Sequence, residues 1–293
     1  MLLAIDVGNT QTVVGVFSDE APVGGERPPG AIAGLLQSWR VATVAERTAE
    51  EHALLLRQLL ELAGLAMPGP PSSPRTDVTI SGIAVSSSVP GVTTTLAEMV
   101  HRFAGVPLVV VGPGIRTAMP VRYDNPREVG ADRVTNAVGA LDLFGAPLIV
   151  VDLGTATTFD AISADGEYLG GAIVPGLEIS MDALYAHAAA LPRVALSEPR
   201  RAIGRSTVES MQAGAVYGHA ALVDGLCARL EEELGPSTVI ATGGLASLVA
   251  PHVRRPVQHE PWLTLHGLRL LYQLNTTAPS ARRASSSTER AAW

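Results

Sequence analysis

The residues of this chain best suited to chemistry recur. An aspartate, a glycine and threonines stand at matching spacing in Ile5-Asp6-Val7-Gly8-Asn9-Thr10-Gln11-Thr12 and again in Val151-Asp152-Leu153-Gly154-Thr155-Ala156-Thr157-Thr158. In each, an apolar, β-branched run carries the aspartate to the end of a strand and the glycine permits a tight turn. The chain then returns as a second strand, over 13–17 or 159–163. A carboxylate so placed can hold a cation, directly or through water, while the turn's N–H groups and hydroxyls face phosphate oxygens. A single Asp-x-Gly-x-Thr is ordinary hairpin chemistry. Two copies, each heading a similar half of the chain, point to two related domains gripping one nucleotide.

The elements that must position these turns alternate between strand-like and helical patterns, which predicts α/β layers. After the first hairpin, residues 21–34 are rich in Pro and Gly and read as a long loop, followed by a third strand over 39–43. Residues 50–64 form an amphipathic helix ended by Gly64, with Leu55, Leu59 and Leu62 on its apolar side and Glu51, Arg57 and Glu61 among its polar positions. A second breaker-rich loop at 67–76 leads to a strand over 78–86, a helix over 93–103 and a strand over 108–111. The second half repeats the plan: strands at 148–153, 157–163 and 169–174, helical segments at 176–191 and 207–234, a strand at 238–241 and a closing helix at 263–274. Domains are therefore expected at 1–115 and 116–275. The tail 276–293, rich in Ser, Ala and Arg, is expected to be disordered.

The chain has 293 residues, 47% hydrophobic and 17% charged, enough for two domains with cores of their own. Its formal net charge of -7, without an extended basic run, argues against nucleic acid or an anionic membrane as partner. A small anionic ligand must then meet local positive groups. No basic segment precedes an apolar run at the start, and Asp6 interrupts that run early, so no signal peptide is expected; no stretch is long and apolar enough to span a bilayer. Cys227, the single cysteine, cannot form an internal disulfide and sits among Leu222, Val223, Leu226 and Leu230 on an apolar helix face. The expected location is cytoplasmic. The seven histidines lack metal-ligand spacing, so no zinc site is expected.

The duplicated hairpins, the α/β halves and the later Ala241-Thr242-Gly243-Gly244 resemble the actin, sugar kinase and heat-shock chaperone ATPase superfamily. The resemblance narrows at Tyr123-Asp124-Asn125-Pro126-Arg127-Glu128-Val129-Gly130-Ala131-Asp132-Arg133, which is similar to the signature of the type III pantothenate kinases, Gly-Ala-Asp-Arg preceded by a Tyr. Further matches are Gly170-Gly171-Ala172-Ile173-Val174-Pro175-Gly176, Ile203-Gly204-Arg205-Ser206-Thr207 with Met211 and Gly214, and Thr242-Gly243-Gly244. They run in order from Asp6 to about Leu274. At Gly204-Arg205-Ser206-Thr207 the family often has Lys and Asn before the Thr, a conservative departure. The resemblance implies two tandem ribonuclease H-like, actin-like ATPase domains with a nucleotide cleft between them. It also implies ATP-dependent phosphorylation of the primary hydroxyl of pantothenate, which opens coenzyme A synthesis.

Transfer of a γ-phosphoryl group to an alcohol needs a positioned hydroxyl, an acceptor for its proton, and positive charge on the phosphates. Asp132 is the candidate base. It falls in the first turn of a helix predicted over 129–143, where Val134, Val138 and Leu141 face the core while Asp132, Asn136 and Gly139 share another face. A helix-start position keeps the carboxylate ionised. The fork of Arg133 can hold a substrate oxygen or the transferring phosphoryl, the plainer alternative being an ion pair with Glu128 or Asp142. By resemblance, Tyr123, Gly130, Ala131, Asp132, Arg133 and Thr207 contact pantothenate; Thr207 could otherwise merely cap its helix. Asp6, Val7, Gly8, Asn9, Thr10, Gln11, Thr12 and Val13 form the first nucleotide turn, with Asp6 facing Mg2+, and Thr155 reaches in from the second. Asp152 lies near a monovalent cation, potassium or ammonium, a hard ion suited to oxygen ligands.

The resemblance further implies a homodimer whose partner subunit helps to close the pantothenate pocket, with 176–191 and 207–234 as candidate contacts. A kinase for another small acid or sugar would keep both turns without needing Tyr123, Gly130–Arg133 and Thr207. A non-catalytic regulator binding nucleotide or pantothenate would usually have lost a turn or the base, whereas Asp6, Asp132, Arg133, Asp152 and Thr155 are all present.

Overall fold

The computed structural model describes residues 1–19, 32–69 and 80–277. Most of the loops expected at 21–34 and 67–76, and the tail beyond 277, lie outside the described residues. Strand β1 (Leu2–Val7) is buried at every position except Asp6, the pattern of a central strand covered on both faces. It pairs antiparallel with β2 (Gln11–Phe17), which pairs antiparallel with β3 (Leu35–Ala42). Helix α1 (Ala49–Leu62) follows, started by a capping box between Thr48 and Glu51. It is stopped by Gly64 at φ +69°, where the bonds Leu65 N–H to Leu60 O and Gly64 N–H to Glu61 O close the end. Strand β4 (Gly82–Ser87) runs parallel to β1. Helix α2 (Pro90–Met99) continues as one π turn, Val100–Ala104, before β5 (Leu108–Val110) completes the sheet in the order β3-β2-β1-β4-β5.

The expected apolar stripe of α1 is corrected by the packing. The helix buries His52, Ala53, Leu56, Leu59 and Leu60, and Leu62 is 80% exposed. Its many leucines permit more than one apolar face, and the one facing Leu3, Ile5, Val7 and Val85 on the sheet is chosen. Full burial of such side chains stabilises by about 1.5–3 kcal/mol each.

Helix α3 (Ala131–Phe144) leads into a second sheet built on the same plan. Strands β6 (Leu148–Leu153), β7 (Ala156–Ile162) and β8 (Tyr168–Pro175) form an antiparallel meander. Helices α4 (Leu177–His187) and α5 (Thr207–Leu234) follow, then β9 (Thr238–Thr242), which pairs parallel with β6. After the short α6 (Ala246–Val249), β10 (Gln258–His259) gives the order β10-β9-β6-β7-β8. β6 repeats the burial pattern of β1, with Asp152 at the position of Asp6. Even the bulges correspond, at Val16/Phe17 and Ala161/Ile162, each opposite the start of the first strand of its hairpin.

The closing helix α7 (Leu263–Thr276) packs on β1, β2, β4 and β5. The compact units are accordingly Met1–Gly139 with the chain from Trp262 on, and Ala140–Pro261. The α3–α7 approach is close: a Cβ on Gly267 would stand 2.0 Å from the Thr135 carbonyl oxygen, and one on Gly139 2.8 Å from that of Leu263. Thr264 also donates to Asn136 Oδ1 at 2.7 Å. Asn136 and Gly139, expected to share a face with Asp132 away from Val134, Val138 and Leu141, are therefore covered by α7.

Candidate functional site

The first turn leaves β1 at Asp6, which is half-buried, and closes by Gly8 N–H to Gln11 O at 3.0 Å. Asn9, Thr10 and Gln11 are exposed at its tip, and Val13 is half-buried beside it. Val7 puts its side chain wholly into the core, and its carbonyl accepts from Ser88 N–H, so any contribution to a ligand comes through the backbone. Thr43, which the sequence did not single out, braces the turn. Its hydroxyl donates to Gly8 O at 2.7 Å and its N–H to Thr10 O at 3.0 Å. That proton being used, the hydroxyl of Thr12 is the donor in the 2.9 Å contact between the two threonines. Gln11 accepts from Arg40 at 2.9 Å.

The second turn is one residue shorter. Val7 pairs with Thr12 across residues 8–11, and Leu153 pairs with Thr157 across 154–156. Equal spacing in the sequence aligns Thr12 with Thr158, but the register makes Thr157 its equivalent. Thr155 is exposed at the tip, with its carbonyl accepting from Gly176 N–H at 3.2 Å. Thr157 is fully buried and its hydroxyl lies 2.8 Å from His219 Nε2; Thr158 donates to Asp160. Half-buried Asp152 lies under Gly243, whose φ of +93° and lack of a side chain let the turn after β9 press in; a Cβ there would stand 2.4 Å from Asp152 Oδ1.

A carboxylate flanked by turn backbone suits a hard cation with oxygen ligands. Among the described residues no group of three or more His, Cys, Asp or Glu could hold a metal ion.

At the start of α3, the Gly130 carbonyl accepts from Val134 N–H, and Asp132 stands half-buried in the first turn with its carboxylate accepting from Arg133 N–H at 2.9 Å. Arg133 itself is buried. Glu128, one of its expected alternatives, accepts from Asn125 at 2.7 Å. Tyr123, Gly130 and Ala131 are half-buried. Asp132 and Arg133 thus follow one another in the first turn of α3, the first half-buried and the second buried.

Thr207 opens α5. Ser206 caps that helix by accepting from Glu209 N–H at 3.2 Å, and the Glu209 carboxylate accepts from Arg205 N–H, so Thr207 is not the cap. It lies exposed at the lip of a groove of about 970 Å³ between α4 and α5, floored by Met181, Met211, Ala215 and His219. Cys227, deeper on α5, is fully buried in the core, and burial pushes its thiol up to about 12.

A family model described as type III pantothenate kinase matches residues 2–229 of the chain. A type III pantothenate kinase of Myxococcus xanthus is 50% identical over 276 residues, covering 94% of this chain and 99% of its own. One of Moorella thermoacetica is 49% identical over 277 residues, with 94% and 100% covered. Among solved structures, a protein of Sinorhizobium meliloti assigned as a 2-dehydro-3-deoxygalactonokinase superposes with a TM-score of 0.57 at 13% identity, covering 98% of this chain and 100% of its own. That last likeness concerns the fold, two mixed sheets flanked by helices as in the sugar kinases.

Proposed function

The chain belongs to the type III pantothenate kinase family, and from that premise we propose which of its residues carry the reaction. The enzyme phosphorylates pantothenate with ATP, the first step of coenzyme A biosynthesis. Asp132 is the base for the primary hydroxyl. As the hydroxyl oxygen bonds to the γ-phosphorus and the bond to the bridging oxygen of ADP breaks, the proton passes to the Asp132 carboxylate, late in a loose transition state. Arg133 holds the transferring phosphoryl or a substrate oxygen with its fork. Tyr123, Gly130, Ala131 and Thr207 contact pantothenate. The observation that carries the assignment is the half-buried, partly open Asp132 in the first turn of α3, followed directly by the buried Arg133.

The nucleotide phosphates are received by the exposed tips of the turns, at Asn9, Thr10 and Gln11 and at Thr155, with Gly8, Thr12 and Val13 shaping the first turn and Val7 contributing only backbone. Family membership implies Mg2+ and a monovalent cation, which when bound place positive charge on the phosphates. Asp6 is the residue for Mg2+, directly or through water. Asp152 is the residue for potassium or ammonium, supported by its packing under Gly243.

The enzyme acts as a homodimer in which the α4–α5 groove is covered by the partner copy, helping to close the pantothenate pocket. The apolar lining and the exposed Ile179, Leu184 and Ile203 support this reading. A cytoplasmic location is part of the same proposal.

The test is Asp132→Asn. The variant is expected to fold and bind ATP by calorimetry, while phosphoryl transfer falls by about 10² or more. Near-normal turnover would remove Asp132 from the role of base.

A further inference from the structure

The two hairpins brace their phosphate turns differently, and the difference singles out a residue outside the family signature. In the first half, Thr43 follows β3 and ties the turn down twice, by N–H to Thr10 O and by hydroxyl to Gly8 O, while also receiving the Thr12 hydroxyl. The equivalent residue after β8 is Gly176, which keeps only the N–H bond, to Thr155 O. No side chain fits there, because a Cβ would stand 2.2 Å from Thr155 O and 2.5 Å from Gly154 O. The hydroxyl anchor of the first half has no counterpart on that strand. Thr157, the equivalent of Thr12, is completely buried and meets instead His219 Nε2 at 2.8 Å, reaching over from the middle of α5.

We propose that His219 is a positioning residue for ATP: by holding the Thr157 hydroxyl it replaces the missing Thr43-type brace and keeps the 154–156 turn aimed at the phosphates. Thr157 is the first paired residue beyond that turn, opposite Leu153, so a shift of its backbone displaces Thr155 directly. Burial holds the imidazole below its ordinary pKa, hence neutral, which suits a partnership with a hydroxyl and adds no charge beside the phosphates. The imidazole also floors the α4–α5 groove, and its helix begins at Thr207. The proposal rests on the reading that Thr155 serves the nucleotide.

His219→Phe, His219→Gln and Thr157→Val, the first combined with the last as a double variant, test it alongside Thr155→Ala. The readouts are binding of a fluorescent ATP analogue and KM for each substrate, with thermal melting to establish folding. His219→Phe and Thr157→Val should each weaken ATP binding by about tenfold, and the double variant should be no worse than either. His219→Gln, whose amide can reach the same hydroxyl, should recover most of the loss. Folded His219→Phe with unchanged ATP binding, or full additivity in the double variant, overturns the proposal. Should His219→Phe fail to fold, Thr157→Val against Thr157→Ser makes the same comparison. If Thr155→Ala weakens ATP binding and His219→Phe does not, only the role of His219 fails; if Thr155→Ala has no effect, the nucleotide reading of the second turn fails with it.

Discussion

Asp6 and Asp152 occupy the same position on equivalent strands, and different tasks are proposed for them. Asp152 is roofed by the backbone of Gly243 and stands beside the turn at Gly154, so its carboxylate presents oxygen toward a small, backbone-lined space. Removing its charge should be felt first by a weakly held monovalent ion. Asp152→Asn is expected to raise the potassium concentration for half-maximal activity by about tenfold or to abolish activity, read from initial rates in potassium against sodium. An unchanged potassium response would move the cation elsewhere. Gly243→Ala acts on the same space by sterics, because its Cβ would meet Oδ1 at 2.4 Å from a backbone at φ +93°. It should lower activity in parallel with the potassium response. At this scale the sequence revealed the aspartates and glycines, since turn chemistry is written in neighbouring residues. The equivalence of Thr12 with Thr157 is visible only in the ladder, because the two turns differ by one residue in length.

Among the elements, α7 shows what close packing demands. Its Gly267 lies against the Thr135 carbonyl of α3, so Gly267→Ala should cost about 3 kcal/mol or more in a denaturant titration, at the upper end of overpacking penalties. Helix α1 offers a pH-dependent counterpart. His52 is buried with no hydrogen-bond partner for Nε2, and burial, aided by the charge of Arg47, lowers its pKa to about 4. Below the ordinary value of 6.5 the unfolded chain binds the proton more readily than the folded one, so stability falls as pH drops from 6.5 toward 4. Relative to wild type, His52→Leu should gain on the order of 1–2 kcal/mol between pH 7 and pH 5, measured by urea unfolding at both values. A constant difference across that range would exclude His52 as the titrating group. Neither feature was legible beforehand. The helix periodicity located α1, but its several leucines left the buried stripe, and with it the burial of His52, undecided.

At the level of the whole molecule, the proposed assembly rests on the apolar lining of the α4–α5 groove. Ile203 is 82% exposed, and Ile179 and Leu184 are exposed on α4, the helix that forms one wall. Covering that surface with a second copy removes it from water. Sedimentation equilibrium should therefore give a dimer, and Leu184→Glu should shift it toward monomer and raise the pantothenate KM. A wild-type monomer at micromolar concentration would refute the proposed assembly.

The sequence by itself determined the duplication, the α/β class, the order of nearly all strands and helices and the family, because strand alternation, helix caps and Asp-Gly-Thr turns are properties of adjacent residues. Tertiary structure alone decided that α7 covers the first sheet, that α3 buries Asn136 and Gly139, and that Thr157 is held by His219. Each of these joins surfaces far apart along the chain. Which surfaces meet depends on shape and burial summed over whole elements, a quantity no short stretch of residues contains.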